Sequence, residues 1–172
     1  WCEFMEDSLH HPAWGYYSDG RVAFGESSES DDFTTFPVSM RPTFGAMLAD
    51  RLMTLSHAID ETEDCFIIVE LGAGTGVLAH DVLSHLETAA PTLYARVRYV
   101  IGERSPSLRL LQEATNKRFV AESKLHIVPA DARDLKGCAL RETLIEIAKG
   151  SGKAKHPVVL RGAIVSNELP DA

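Results

Sequence analysis

Cysteine is scarce in this chain: Cys2, Cys65 and Cys138 are the only three in 172 residues. An odd count without metal-ligand spacing argues against a disulfide framework or a zinc site and reads as free thiols in a reducing compartment. Basic residues are also in deficit, 17 Lys and Arg against 25 Asp and Glu, for a formal charge of −8. That balance argues against nucleic acid, whose phosphates want net lysine and arginine, and suits a basic protein or peptide partner. No apolar run reaches the ~20 residues of a membrane helix, so no membrane-spanning segment is expected. No Ser-His-Asp or Cys-His arrangement is recognisable, so nucleophilic hydrolysis has no support. The His10-His11 pair has no ligand partner at metal spacing and reads as a surface or packing feature. Internal repeats are absent.

What the chain does have is one unusual segment, Phe66-Ile67-Ile68-Val69-Glu70-Leu71-Gly72-Ala73-Gly74-Thr75-Gly76. An apolar run ends in an acid, and glycines at alternate positions lead into an amphipathic stretch. The pattern predicts a buried parallel strand, a loop with almost no side chains, and a helix from about Val77 to Leu86 with Leu78, Val82 and Leu86 on one face. Glycine lets a nucleotide-like ligand lie against the backbone. A dinucleotide fingerprint G-x-G-x-x-G needs glycine where this chain has Val77. Glu70 is moreover a poor neighbour for a pyrophosphate and a good one for a cationic or hydroxylated ligand.

Downstream strands repeat the theme. Val97 to Glu103 is a second apolar run with an acidic end, where an acid commonly accepts ribose hydroxyls. Glu103 fits that role for either cofactor class; the bland alternative is a solvated carboxylate. Ser105-Pro106 reads as an N-cap and first helical residue, opening a helix to about Val120 with Leu108, Leu111 and Thr115 inward. A third strand, Lys124 to Val128, precedes Asp131, placed to read an adenine amino group and equally placed to form a turn. A fourth strand, Val158 to Val165, interrupted at Gly162, leads into Asn167, Glu168 and Asp171.

The E-x-G-x-G-x-G spacing at 70–76 resembles motif I of the class I S-adenosylmethionine methyltransferases. Other stretches carry a closer resemblance. They are His11-Pro12-Ala13-Trp14-Gly15-Tyr16-Tyr17, Asp32-Phe33-Thr34-Thr35-Phe36-Pro37 with Pro42-Thr43-Phe44-Gly45, Tyr99 to Arg109 with Gln112, and Ser166 to Ala172. Together they resemble the mitochondrial and bacterial methyltransferase family whose mitochondrial members assist respiratory complex I assembly as protein arginine methyltransferases. The resemblance implies a Rossmann-like α/β fold and S-adenosyl-L-methionine as cofactor, bound by Glu70, Gly72, Gly74, Gly76, Glu103 and Asp131. It also implies an arginine-bearing protein substrate, such as a complex I subunit, faced by Asn167, Glu168 and, more weakly, Asp171. A mitochondrial location follows from the same resemblance, or a cytoplasmic one for a bacterial protein. The departures are Asp31, Phe36 and Val38, where the family usually has glycine, serine and glutamate.

Residues 1–60 read as an N-terminal extension: a helix over 2–10, an aromatic stretch with an acidic run at 25–32, and a helix over 43–58. That last helix is expected to bury Phe44, Met47, Leu48, Leu52 and Leu55. Residues 61–172 read as a partial methyltransferase domain, and residues 150–155 as a basic flexible connection. Four strands where the resembled fold has seven suggest a fold truncated after strand four, about the N-terminal half of such a protein. Two rivals remain: a nicotinamide oxidoreductase, and a catalytically silent assembly factor that kept the fold.

Overall fold

The computed structural model describes residues 1–18, 34–58, 65–134, 139–150 and 160–167. The acidic run at 25–32, Cys138, the connection at 151–155, the start of the expected fourth strand at Val158, and both Glu168 and Asp171 lie outside them.

Along the chain come α1 (Cys2–His10), α2 (Phe36–Ser39), α3 (Thr43–Ala58), β1 (Phe66–Leu71), α4 (Val77–Ala89) and α5 (Pro91–Arg96). Then follow β2 (Val97–Glu103), α6 (Pro106–Thr115), α7 (Lys117–Ala121), β3 (Leu125–Pro129), α8 (Ala139–Gly150) and β4 (Gly162–Ser166). The strands form one sheet in the order β3-β2-β1-β4, every pair parallel. A parallel sheet must be covered on both faces, which is why β1 reads as an apolar run, Phe66 to Val69 and Leu71, interrupted by Glu70 alone. All six of its residues are buried.

Alternate residues supply the two faces. Phe66, Ile68, Tyr99 and Ile101 pack with Ala49 and Leu52 of α3 and with Leu78, Val82, Leu83 and Leu86 of α4. Ile67, Val69, Leu71 and Val100 pack on the other side with Leu140, Leu144 and Ile147 of α8. Burying a leucine of this kind stabilises by roughly 1.5–3 kcal/mol, so a handful of them outweighs any single polar contact.

The helix α6 starts as expected, Ser105 Oγ accepting from Leu108 N at 3.3 Å. It stops at Thr115 rather than Val120, with Leu111 exposed and Asn116 buried at the break. Along α3 the buried residues are Gly45, Ala49, Leu52 and Ser56, whereas Met47 and Leu55 face outward. The reason is a close crossing: a Cβ on Gly45 would stand 2.5 Å from Asp81 Cβ on α4. Of the expected fourth strand, β4 runs from Gly162, whose φ of 152° only glycine adopts easily and whose Cβ position is filled by the Ile67 carbonyl of β1.

Candidate functional site

Because every strand is parallel, the loops after β1, β2 and β3 gather at one edge of the sheet, and the order 3-2-1-4 puts a reversal between β1 and β4. Open α/β sheets hold ligands at such an edge and such a reversal.

The glycine loop occupies that edge. Gly72, Gly74 and Gly76 have φ of 72°, 51° and 77°. At Gly76 the need is double, because a side chain there would also come within 2.8 Å of Asn116 Nδ2. Two buried amides on and beside α6 hold the loop. Gln112 Nε2 donates to the Gly74 carbonyl at 2.9 Å, and Asn116 Nδ2 donates to the Gly76 carbonyl at 3.0 Å. Gln112 also donates to Glu103 Oε2 at 3.3 Å, so a single side chain spans the loop and the second strand's acid.

Both predicted acids are buried, with 2% of Glu70 and 7% of Glu103 exposed. Burial pushes the Glu70 carboxyl up to about 7, against a pull downward from the Tyr99 hydroxyl, which donates to Glu70 Oε2 at 2.9 Å. Burial likewise raises Glu103, opposed by the Ser105 N–H that donates to Oε1 at 2.7 Å and by Gln112. Among the described contacts no arginine side chain bonds to either carboxylate, although the nearby Arg109 charge also pulls Glu103 down. Arg109 instead donates to the carbonyls of Glu103 and Arg104, at 3.0 and 2.8 Å. The edge therefore offers acceptors, which suits an ammonium, a sulfonium or hydroxyl groups and not a pyrophosphate.

Two hollows flank Gly72. The larger, about 740 Å³, lies over Gly72, Gly102, Glu103, Ala130 and Asp131, with α1 (Met5, Glu6, Leu9 and His10) forming its opposite wall. A Cβ at Gly102 would come within 2.8 Å of Leu71 and 3.1 Å of Ala130, so glycine keeps the floor low. The smaller, about 40 Å³, is bounded by Glu70, Gly74, Thr75, Val38 and Asn167. Asp131 reaches the larger hollow with its carboxylate gripped by Arg133, whose Nη2 donates at 2.6 Å and whose Nε donates at 3.0 and 3.2 Å. Arg133 holds the Asp131 carboxyl down at about 2.

The predicted cofactor residues thus converge on one edge, and Asn167 joins them across the reversal. Trp14 does not join a cleft wall by any described contact; it is exposed and stacks on His11 at 3.3 Å between centroids. Tyr17 is held by its backbone, its carbonyl accepting from Ser105 and Ser107. Sequence reasoning passed over Tyr99 and Asn116 and gave α1 no part in the site. A phenol inside a strand whose core is apolar was a signal, since a buried Tyr hydroxyl usually finds a partner.

Among the described residues no group of three or more His, Cys, Asp or Glu could hold a metal ion, and no helix is long and apolar enough to cross a membrane.

The comparisons with known proteins point the same way. A family described as "Putative S-adenosyl-L-methionine-dependent methyltransferase" matches residues 47–172. A crystal structure from Burkholderia thailandensis, described as a "likely methyl transferase" bound to S-adenosyl-homocysteine, is 25% identical with a TM-score of 0.64. That likeness covers 97% of this chain and 35% of the other. A second crystal structure from the same organism, of a protein described as uncharacterized, is 27% identical with a TM-score of 0.54, over 78% of this chain and 31% of that one. The chain spans about a third of the length of these structures, against the half that was expected. No curated protein matches it. The α/β fold expected from the resemblance, with the sheet of a class I methyltransferase as far as its fourth strand, stands.

Proposed function

The chain belongs to that family of S-adenosyl-L-methionine-dependent methyltransferases, and from this premise we propose that it forms the cofactor-binding part of a protein arginine methyltransferase. The observation that carries the reading is the juxtaposition, on one sheet edge, of Gly72 and Glu103 lining a cleft of about 740 Å³ with Glu70 and the glycine loop lining the small hollow on the other side of Gly72. Glu103 accepts the ribose hydroxyls, and the loop backbone lies against the ligand where side chains would block it. Glu70 faces the cationic amino acid portion, and Asp131 lies toward the adenine. The cofactor supplies an already activated methyl group on a sulfonium, so the protein's work is alignment and exclusion of water.

The finer assignment to arginine rests on the motif resemblance. A guanidinium is protonated at neutral pH and must lose a proton as it reacts. A carboxylate that grips it bidentately orients the nitrogen and takes up charge. Asn167, at the wall of the smaller hollow beside Glu70, marks the acceptor side; Glu168 follows it directly in sequence and Asp171 stands four positions on. A complex I subunit in the mitochondrion is the substrate that the resemblance favours.

Val38 favours a second reading. It is buried in the wall of the smaller hollow, at a position where the resembled family usually carries glutamate. A chain that kept the fold for assembly, without methyl transfer, accommodates that apolar residue.

Calorimetric titration of S-adenosylmethionine into the protein at its natural length, with Glu103→Ala alongside, tests the reading. Micromolar binding that the substitution weakens at least tenfold is expected, about the loss of a charge-assisted hydrogen-bond pair. Absence of binding by a folded protein turns the conclusion to the assembly reading. With binding established, Glu168→Gln is expected to depress turnover on arginine peptides while sparing cofactor affinity; unchanged turnover removes Glu168 from the mechanism.

A further inference from the structure

Strand register brings one more side chain to the site. In the β1–β2 ladder Ile68 stands opposite Tyr99 and Glu70 opposite Ile101, so the Tyr99 ring lies on the same face as Glu70, two residues short of it. Its hydroxyl reaches forward to Glu70 Oε2 at 2.9 Å. Tyr99 is wholly buried in the apolar cluster with Phe66 and Ile68, and only the hydroxyl end is polar. A phenol so placed wants an acceptor, and a carboxylate so buried wants a donor.

We infer that Tyr99 is a positioning residue for cofactor recognition: its hydroxyl favours the charged form of the buried Glu70 carboxylate and orients it at the small hollow lined by the glycine loop, where the ligand's amino group binds. The inference rests on the reading that Glu70 faces the cofactor. At about 40 Å³ the hollow is large enough to admit an ammonium group and far smaller than the cleft of about 740 Å³ on the other side of Gly72. An ammonium is a strong partner for a carboxylate, but only for the charged form.

Few other groups bear on Glu70. Among the described residues the neighbouring charge is Glu103 at the end of β2, which disfavours a second negative charge. Around the hollow, α2 brings Pro37 and Val38, the loop brings Thr75, and the end of β4 brings the neutral Asn167. The Thr75 hydroxyl is buried without a partner and can serve as a further acceptor. Burial and the neighbouring Glu70 charge raise Tyr99 well above its ordinary range, so it stays a donor through the working pH. Tyr99 is thus the described side chain that opposes burial at Glu70. Without it, Glu70 holds its proton to higher pH and the ammonium site is neutral when the ligand arrives.

The test uses S-adenosylhomocysteine, which carries the amino group without the labile sulfonium, and the protein at its natural length. For wild type, affinity is expected to rise with pH between 6 and 8. Binding at pH 7 is expected to release about half a proton, read by calorimetry in buffers of different ionisation heat. Tyr99→Phe is expected to bind about tenfold more weakly at pH 6.5 and within about twofold of wild type at pH 8.5. Glu70→Gln is expected to bind weakly at every pH, release no proton and be indifferent to Tyr99→Phe. A purely structural tyrosine gives an equal loss at all pH, and that outcome overturns the inference while leaving the cofactor reading intact. Proton release by the wild type decides the matter if Tyr99→Phe does not fold: none at pH 7 overturns the inference too. Failure of the wild type to bind at any pH overturns both.

Discussion

Glu70 responds to folding in the opposite sense to the arginine-paired carboxylates of the cleft, Glu6 and Asp131. Arginines hold Glu6 and Asp131 at about 2, whereas burial lifts Glu70 from 4.5 to about 7. The signs separate cleanly. A lowered acid binds fewer protons when folded, so its stabilisation is present above the unfolded value and lost as pH falls toward 2. A raised acid binds more protons when folded, so Glu70 contributes stability that drains away as pH climbs from about 4.5 to about 7. The full span corresponds to roughly 3 kcal/mol at most. Glu103 is raised as well and adds to the decline. The half-buried His10 and His126 are lowered and oppose it over part of the same range. The clean quantity is therefore the difference between wild type and Glu70→Gln. In urea unfolding at pH 5, 6 and 7.5 without ligand, wild type is expected to lose stability relative to the variant by about one to a few kcal/mol over this range. Parallel pH profiles refute a strongly raised Glu70. The residue itself was legible from its place before the glycines, but its titration was not. That depends first on burial within the folded sheet, and then on the opposing bond from Tyr99, twenty-nine residues away in sequence and brought near by strand register.

At the scale of elements, α3 and α4 show how size rather than hydrophobicity selects a contact face. A stripe of large apolar residues predicts Met47 and Leu55 inward, yet α3 turns Gly45, Ala49, Leu52 and Ser56 to its neighbours. The small residues let the helix axes approach. Across the same contact Arg41, just before α3, makes a paired bond to Asp81 of α4, Nε to Oδ2 at 2.9 Å and Nη2 to Oδ1 at 2.8 Å. Two effects compete in Gly45→Ala. Alanine gains about 1 kcal/mol in helix propensity. Its Cβ, however, meets Asp81 Cβ at 2.5 Å and backbone atoms of Asp81 and Val82 at 3.2 Å, a clash that typically costs about 1–3 kcal/mol. Backbone cannot step aside as a side-chain tip can, so the clash wins. A net loss of about 1 kcal/mol is expected from denaturant unfolding, and a stabilised variant contradicts this packing. β1, β2, β3 and α4 were legible because apolar runs and helical spacing are local signals. The helix α8 was not foreseen, although Leu140, Leu144 and Ile147 already lay at helical spacing. The stop at Asn116 could not be read locally, because what holds Asn116 inside is its bond to the Gly76 carbonyl, forty positions earlier.

Over the whole molecule the sheet edge acquires a roof from the far end of the chain. The helix α1 reaches the larger hollow and places Glu6 between two guanidiniums, Arg104 after β2 and Arg133 after β3, with Arg133 Nη1 at 2.9 Å. Arg133 in turn grips Asp131, so the roof and the floor of the cleft belong to one charged network. No sequence pattern announces this, since the partners stand 98 and 127 positions apart. Exposed ion pairs contribute little individually, about 0–1 kcal/mol, and salt screens them. The network is therefore weak glue for the fold, and it pins α1 only locally. Glu6→Ala is accordingly expected to change global stability hardly at all, by less than about 1 kcal/mol. Amide exchange along residues 2–10 should accelerate several-fold in the same variant, because local opening is governed by the few contacts that pin a segment. High salt should reproduce that acceleration in the wild type and add little in Glu6→Ala. If exchange in α1 is instead unchanged by both treatments, the charged network does not pin the helix and serves only to orient Asp131.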